Sequence, residues 1–119
     1  MSLPDEALRK VLFELQNRLI ENTRQLNTVK SQIQLKGREK RLAELTKREL
    51  TSLDKDTRTY KSVGKAFIRA DIRDLTNELS NRVSKTETDL TTLDKSRKYL
   101  ERNIDESSNG LREIVGARP

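Results

Sequence analysis

Hydrophobic positions in both halves of the chain recur at alternating steps of four and three residues. This alternation is the apolar seam of a coiled coil, formed along one side of a long helix. The first seam contains Leu8, Leu12, Leu15, Leu19, Asn22, Leu26, Val29 and Ile33. The second contains Leu79, Val83, Thr86, Leu90, Leu93, Arg97, Leu100, Ile104, Ser107, Leu111 and Ile114. We therefore predict a mostly α protein with helices at about 4–53 and about 71–116.

The two seams match each other if the chain folds back on itself near residues 64–65. Leu15 then faces Ile114, and the polar Asn22 faces the polar Ser107, where each could find a hydrogen-bonding partner. This matching predicts an antiparallel coiled coil formed within one chain. The alternative is that the two seams face separate partner chains. The turn-like letters SSNG at 107–110 leave the continuity of the second helix open.

The first seam changes character near Gly37. Its continuation would include Lys36 and Lys40, whereas the leucines of this stretch lie at Leu35, Leu42, Leu45, Leu50 and Leu53. An apolar stripe that moves around a helix in this way indicates a local change of supercoiling. Two interpretations follow: a loosely packed stretch, or a helix that begins to face a partner other than its own second half.

The centre of the chain has the pattern of a β-hairpin at about 59–70. TYKSV and AFIRA flank the pair Gly64 and Lys65, and glycine at the first central position suits a type II′ turn. The predicted opposite pairs are Val63 with Ala66, Ser62 with Phe67, and Lys61 with Ile68.

This hairpin is unusually apolar for a connection between two helices. A lone hairpin is marginally stable in water and has unpaired edges, and a coiled coil offers no core beneath it. We therefore expect hairpins of several chains to pair through Tyr60, Val63, Gly64, Phe67 and Ile68. The alternative is a hairpin that packs locally as a cap.

The composition argues against an enzyme. The 119 residues include no cysteine and no histidine, so thiolate nucleophiles, imidazole bases and the usual zinc ligands are missing. Gly64 is isolated and lacks the spacing of a phosphate-binding loop. We predict no catalytic residue, no metal and no cofactor. With 37% charged and 32% hydrophobic residues, the chain resembles long helices more than compact domains.

Charge and hydropathy also limit the possible partners. The net charge is +6, but KGREKR at 36–41 is the one dense basic patch, and aromatic residues make up only 3%. We therefore expect no nucleic-acid partner, with a coiled-coil nucleic-acid binder as a rival hypothesis. No apolar run approaches the roughly 20 residues that span a membrane. We expect a soluble, cytoplasmic protein with no membrane partner.

The free ends of the folded-back helices are a second candidate interaction surface. Residues 3–15 would lie beside residues 111–119, and the neighbours Leu12 and Phe13 cannot both face one partner helix. Exposed apolar surface of this kind marks interaction sites. The candidate residues are Leu8, Val11, Leu12, Phe13, Leu15, Leu111, Ile114 and Val115.

Three segments carry a resemblance to a known family. GREKRLAELTKREL, the hairpin TRTYKSVGKAFI and the helix segment KSRKYLERNIDE resemble the β-class subunits of prefoldin over nearly the whole chain. A single hairpin between the helices matches the β class, since α-class subunits carry two. The resemblance implies one prefoldin-like domain over residues 1–119.

The resemblance also implies a function. Prefoldin is a hexamer of two α-class and four β-class subunits whose hairpins form a double β-barrel. Its coiled-coil tips hold non-native proteins, chiefly actin and tubulin, and pass them to the cytosolic group II chaperonin without a nucleotide. The rival hypothesis is a structural coiled-coil adaptor or a component of a tethering complex.

Overall fold

The computed structural model describes residues 5–116, which form two helices and two strands. The order along the chain is α1 (Asp5–Thr51), β1 (Tyr60–Val63), β2 (Ala66–Arg69) and α2 (Ile72–Gly116). The strands form a two-stranded antiparallel sheet. The two long helices with a central hairpin are the architecture that the hydrophobic pattern predicts.

One compact unit consists, within the described residues, of 5–32 and 93–116. Its buried apolar side chains are Leu26 and Leu100, and Ser107 is buried as well. The other predicted seam positions of α1 in this unit are half-buried: Leu8, Leu12, Leu15, Leu19, Asn22 and Val29. The apolar repeat therefore identifies the packed face of this helix segment correctly. Burial is shallow because two helices alone cannot enclose a side chain from all sides.

Small residues of α2 allow the two helix segments of this unit to approach closely. The stretch Ser107–Gly110 is helical, despite its turn-like composition. A Cβ atom added to Gly110 would lie 3.4 Å from Leu15 Cδ1. Leu15 thus packs on Gly110, one helical turn before Ile114, the partner that the fold-back symmetry predicts. The side-chain Nδ2 of Asn22 is buried without a hydrogen-bond partner, so the partner expected for it is missing.

The second compact unit contains residues 33–92, including the hairpin. In this unit, the side of α1 that packs against α2 is still the side given by the four-and-three repeat. Ala43 is 3% exposed, and Lys36 and Lys40 are half-buried. The leucines of the same segment remain largely exposed: Leu35, Leu42 and Leu45. The helix therefore does not rotate to bury these three leucines against α2, whereas Leu50, which lies on the four-and-three repeat, is half-buried.

Ion pairs connect the helix segments of this second unit. Lys36 Nζ lies 3.5 Å from Asp89 Oδ2, and Lys40 Nζ lies 3.4 Å from Glu87 Oε1. Symmetry about residues 64–65 would instead place Asp89 opposite Lys40. The difference of one turn follows from unequal connections, because eight residues (52–59) join α1 to β1 and two (70–71) join β2 to α2.

The hairpin has the predicted register, with Val63 opposite Ala66, Ser62 opposite Phe67 and Lys61 opposite Ile68. Gly64 has a φ of 60°, and within the described residues no other residue type adopts a positive φ. In a type II′ turn the first of the two central residues has a positive φ and the second does not, which is the pattern found at Gly64 and Lys65.

The ends of the hairpin are fixed by short hydrogen-bonded links. The backbone N–H of Ala70 donates to the carbonyl of Thr59 at 3.0 Å, and the Thr59 hydroxyl donates to the carbonyl of Ala70. The carbonyl of Asp71 accepts from the N–H of Leu75 at 3.0 Å, so the hydrogen bonding of α2 begins two residues after β2 ends. Asp74 in the first turn of α2 favours this start through the helix dipole.

Candidate assembly hairpin and apolar helix ends

All eight strand residues of the hairpin are exposed. Phe67 is 74% exposed, and Tyr60, Val63 and Ile68 are each about half exposed. None of these apolar side chains is therefore buried against the described parts of the helices. A locally packed cap, the alternative considered for this hairpin, would have buried them.

Both faces of the hairpin carry apolar side chains. Directly opposite residues share a face, so Ser62 and Phe67 lie on one face with Tyr60 next along it. Val63 and Ile68 lie on the other face. An isolated two-stranded sheet normally turns one polar face to water. Apolar residues on both faces are instead typical of a strand pair that is covered on each side.

Each strand of this two-stranded sheet is also an edge strand. The outward backbone N–H and C=O groups of an edge strand can pair with a strand of another chain. The strands lack proline, which would block such pairing, although Lys61, Lys65 and Arg69 place positive charge on the hairpin. The hairpin thus combines two pairing edges with two apolar faces.

One of these charges is neutralised by α2. Lys61 Nζ donates a hydrogen bond of 2.7 Å to Glu78 Oε1. This hydrogen bond, with the positive charges of Lys61 and Arg82, lowers the pKa of the Glu78 carboxyl below its ordinary value. This ion pair connects one face of the hairpin to α2, the face that carries Lys61, Val63 and Ile68.

The eight candidate residues of the helix ends fall into two groups. Leu8, Leu12 and Leu15 of α1, with Leu111 and Ile114 of α2, are half-buried in the helix–helix seam. The exposed residues are Val11, Phe13 and Val115. While the helices remain paired, Phe13 and Val115 are largely available to a partner, and Val11, at 36% exposure, is available in part.

Sequence reasoning missed two exposed hydrophobic residues in this unit. Ile20 is 67% exposed and follows Phe13 by seven residues, two helical turns, so both lie on one side of α1. Tyr99 is 62% exposed and stands between two shallow grooves of about 570 and 280 Å³. The signal for Ile20 was its seven-residue spacing from Phe13, away from the seam.

The polar rim of the larger groove is fixed by an ion pair. Arg24 donates two hydrogen bonds of 2.8 Å to the Glu21 carboxylate. These bonds lower the pKa of Glu21 and raise that of Arg24. Both side chains are exposed, so the pair contributes little to stability.

Two other kinds of site are absent from the described part of the chain. Between residues 5 and 116, no group of three or more histidine, cysteine, aspartate or glutamate side chains could hold a metal ion. Neither described helix contains a segment apolar enough to cross a membrane.

Comparison with known proteins places the chain in a family. The sequence model of a family described as "Prefoldin subunit" matches residues 14–118. The fold resembles the crystal structure of the prefoldin beta subunit from Thermococcus strain KS-1. That comparison has a TM-score of 0.82 at 22% identity and covers 99% of this chain and 98% of that one. The chain belongs to the prefoldin family, whose subunits are non-enzymatic components of a chaperone complex.

Within this family, the chain is similar to proteins named prefoldin subunit 1. "Prefoldin subunit 1" of Arabidopsis thaliana is 34% identical over 117 residues, which cover 98% of this chain and 91% of the relative. "Probable prefoldin subunit 1" of Dictyostelium discoideum is 34% identical over 107 residues, 90% of this chain and 93% of the relative. The resemblance found in the sequence is thereby confirmed.

Proposed function

We propose that this chain is a subunit of a cytoplasmic hexamer of two α-class and four β-class prefoldin subunits. The hexamer captures non-native proteins, including actin and tubulin, at the free helix ends of its subunits. It passes them to the cytosolic group II chaperonin without using ATP. The observation that carries this proposal is the hairpin, which leaves two apolar faces and two edges uncovered in the single chain.

Assembly through the hairpin follows from the cost of its exposure. Tyr60, Val63, Phe67 and Ile68 lie on a strand pair that has no core of its own. Strands of neighbouring subunits would satisfy the free backbone groups, and the apolar faces would become buried. Gly64 permits the tight turn that keeps the two strands in register.

Client capture at the helix ends is supported by the exposed residues there. Val11, Phe13 and Val115 present apolar surface that an unfolded chain could cover. Leu8, Leu12, Leu15, Leu111 and Ile114 would join this surface wherever the helix ends separate. Such binding needs no nucleotide, because burial of apolar surface drives it.

The two phenylalanines of the chain allow a matched test of both roles. Phe67 in the hairpin and Phe13 in α1 are exposed to similar degrees, 74% and 65%. Each is replaced by aspartate, and the variant is co-expressed with α-class and β-class partner subunits. The mass of the purified complex reports assembly, and suppression of aggregation of denatured actin reports client binding.

We expect opposite results from the two variants. Phe67→Asp should prevent incorporation into the hexamer, because a charge buried in a subunit interface without a partner costs several kcal/mol. Phe13→Asp should assemble normally but protect actin less well, with a partial effect because the other subunits keep their own helix ends. A Phe67→Asp variant that forms a hexamer of normal mass would refute hairpin-centred assembly. The decisive hexamer has this chain with Phe13→Asp and without residues 1–12 and 114–119, and the corresponding helix ends removed from every other β-class subunit. Full protection of actin by that hexamer would show that the client site does not lie at these ends.

A further inference from the structure

The outer side of α1 in the unit of residues 33–92 carries an apolar stripe that the proposed function does not use. Leu35, Leu42 and Leu45 are 59%, 67% and 53% exposed. With Arg38 between the first two, they repeat the three-and-four spacing of a coiled-coil seam. This spacing on an exposed helix face suits a second helix laid along it.

A groove lies beside this stripe. It lies between α1 and α2 within the same unit and has a volume of about 600 Å³. Leu42 lines it, together with Ala43 and Thr86, which are each only 3% exposed. Because alanine is small, a side chain of an incoming helix has room to enter beside Leu42.

The charges around the stripe are predominantly positive. Residues 33–50 include six basic and three acidic side chains. Arg38, Arg41 and Arg48 are exposed, and none of them forms an ion pair with a residue in the described range 5–116. Arg82 and Lys85 of α2 line the groove and are likewise not ion-paired within that range. The groove is also lined by acidic residues, but each of these is already ion-paired with a lysine: Glu39, Glu78 and Asp89. A helix seated on the leucines would therefore have basic side chains on both flanks.

This pattern selects one kind of partner. A second copy of the same face would bring Arg38 and its neighbours against like charges. A nucleic acid would neutralise the arginines but would leave the three leucines in contact with a phosphate backbone. We infer that this face binds an amphipathic protein helix whose leucine-like stripe is flanked by acidic residues. This inference goes beyond the proposed function and uses none of the hairpin or helix-end residues assigned above.

Two synthetic helical peptides provide the probe. Both carry leucines at three-and-four spacing, and they differ only in their flanking residues, which are glutamates in one and lysines in the other. Fluorescence anisotropy measures the affinity of each labelled peptide for the full chain. We expect saturable binding of the glutamate peptide and at least about tenfold weaker binding of the lysine peptide, because close charge pairs of opposite sign favour the first and like charges oppose the second.

Variants of the chain locate the binding. The double variant Leu42→Ser with Leu45→Ser should weaken binding of the glutamate peptide by at least about tenfold, since burial of these two leucine side chains against the peptide drives its binding. Arg41→Glu with Arg48→Glu should also weaken it. The matched control is Ile20→Ser, because Ile20 is as exposed as Leu42 at 67% but lies in the other unit; its binding should be unchanged. Circular dichroism verifies that every variant keeps its helices.

Three results would overturn the inference. The first is no saturable binding of the glutamate peptide. The second is equal affinity for the two peptides, or equal loss of affinity in Ile20→Ser and in the double leucine variant. The third is binding of duplex DNA that is tighter than binding of the peptide, falls steeply with salt and is unaffected by the leucine substitutions, which would make this face a nucleic-acid site.

Discussion

The two compact units of the chain use the same helix pair in opposite ways. In the unit of residues 5–32 and 93–116, leucines such as Leu26 and Leu100 are buried in the seam. In the unit of residues 33–92, the seam of α1 holds Ala43 between lysines, while leucines such as Leu42 face outward. The leucines of α1 in the first unit therefore stabilise the helix pair, whereas Leu35, Leu42 and Leu45 in the second unit leave apolar surface for a partner.

The difference shows that helix geometry, and not hydrophobicity alone, decides which side chains are buried. An uninterrupted helix keeps its packed face at the four-and-three positions, even where these positions hold Lys36 and Lys40. Ion pairs with Asp89 and Glu87 then take the place of apolar contacts. Such partly exposed pairs contribute less than buried leucines do, so this unit depends less on its own seam.

The largest expected contrast comes from truncating one leucine in each unit. Leu26→Ala should lower the free energy of unfolding by about 2 kcal/mol or more, because it truncates a side chain that is only 8% exposed and leaves a cavity in its place. Leu42→Ala removes the same atoms from the same helix, but the Leu42 side chain is 67% exposed. This variant should therefore change the free energy of unfolding by no more than about 0.5 kcal/mol. Urea unfolding followed by circular dichroism measures both. Equal losses would show that Leu42 packs within the chain and would remove the contrast between the units.

A second prediction concerns the polar layer of the leucine-rich seam. Asn22 Nδ2 is buried without a hydrogen-bond partner, which costs roughly 1–3 kcal/mol. Asn22→Leu should therefore raise the free energy of unfolding by about 1 kcal/mol or more. The variant should also allow the two helices to pair in more than one register, because a polar residue in the seam specifies the register at the expense of stability.

The control for Asn22 is Asn27→Leu, an identical change at an exposed position of the same helix. It corrects for the better helix propensity of leucine. Denaturant unfolding gives the stabilities, and size-exclusion chromatography detects new oligomers. If Asn22→Leu gains no more than Asn27→Leu, the amide of Asn22 is satisfied in solution, and the seam of this unit has no weak layer.

The sequence predicted those parts of the fold that leave a hydrophobic or glycine signal. The seam from Leu8 to Val29 was visible because its apolar residues recur, and the hairpin was visible because Gly64 supplies the positive φ of its turn. Lys36 and Lys40 gave no such signal, since long charged side chains at seam positions do not differ in sequence from those on the surface. Loop lengths set the offset of the helix pair, and no seam pattern encodes them.

The candidate sites were predictable to a similar extent. The apolar residues of the hairpin could be identified because a helical connection has no need of Tyr60 or Phe67. At the helix ends, the sequence grouped seam residues such as Leu12 with exposed ones such as Phe13. Separating the two groups needs the rotation of each helix about its axis, which becomes known only from the packed structure.

The smallest expected effects come from two helical glycines, one in each unit. Nothing lies within 4 Å of a Cβ atom placed on Gly37, so Gly37→Ala should gain nearly the full advantage of alanine in a helix, about 1 kcal/mol. A Cβ atom on Gly110 would lie 3.4 Å from Leu15 Cδ1 and 3.7 Å from Leu15 Cδ2. Gly110→Ala should therefore gain less, because the Leu15 side chain must move slightly to keep its contact. Thermal unfolding of both variants, measured under identical conditions, gives the difference directly. A larger gain for Gly110→Ala than for Gly37→Ala would mean that the leucine-rich seam is packed less closely than its geometry indicates, and that close approach at Gly110 is not what holds this unit together.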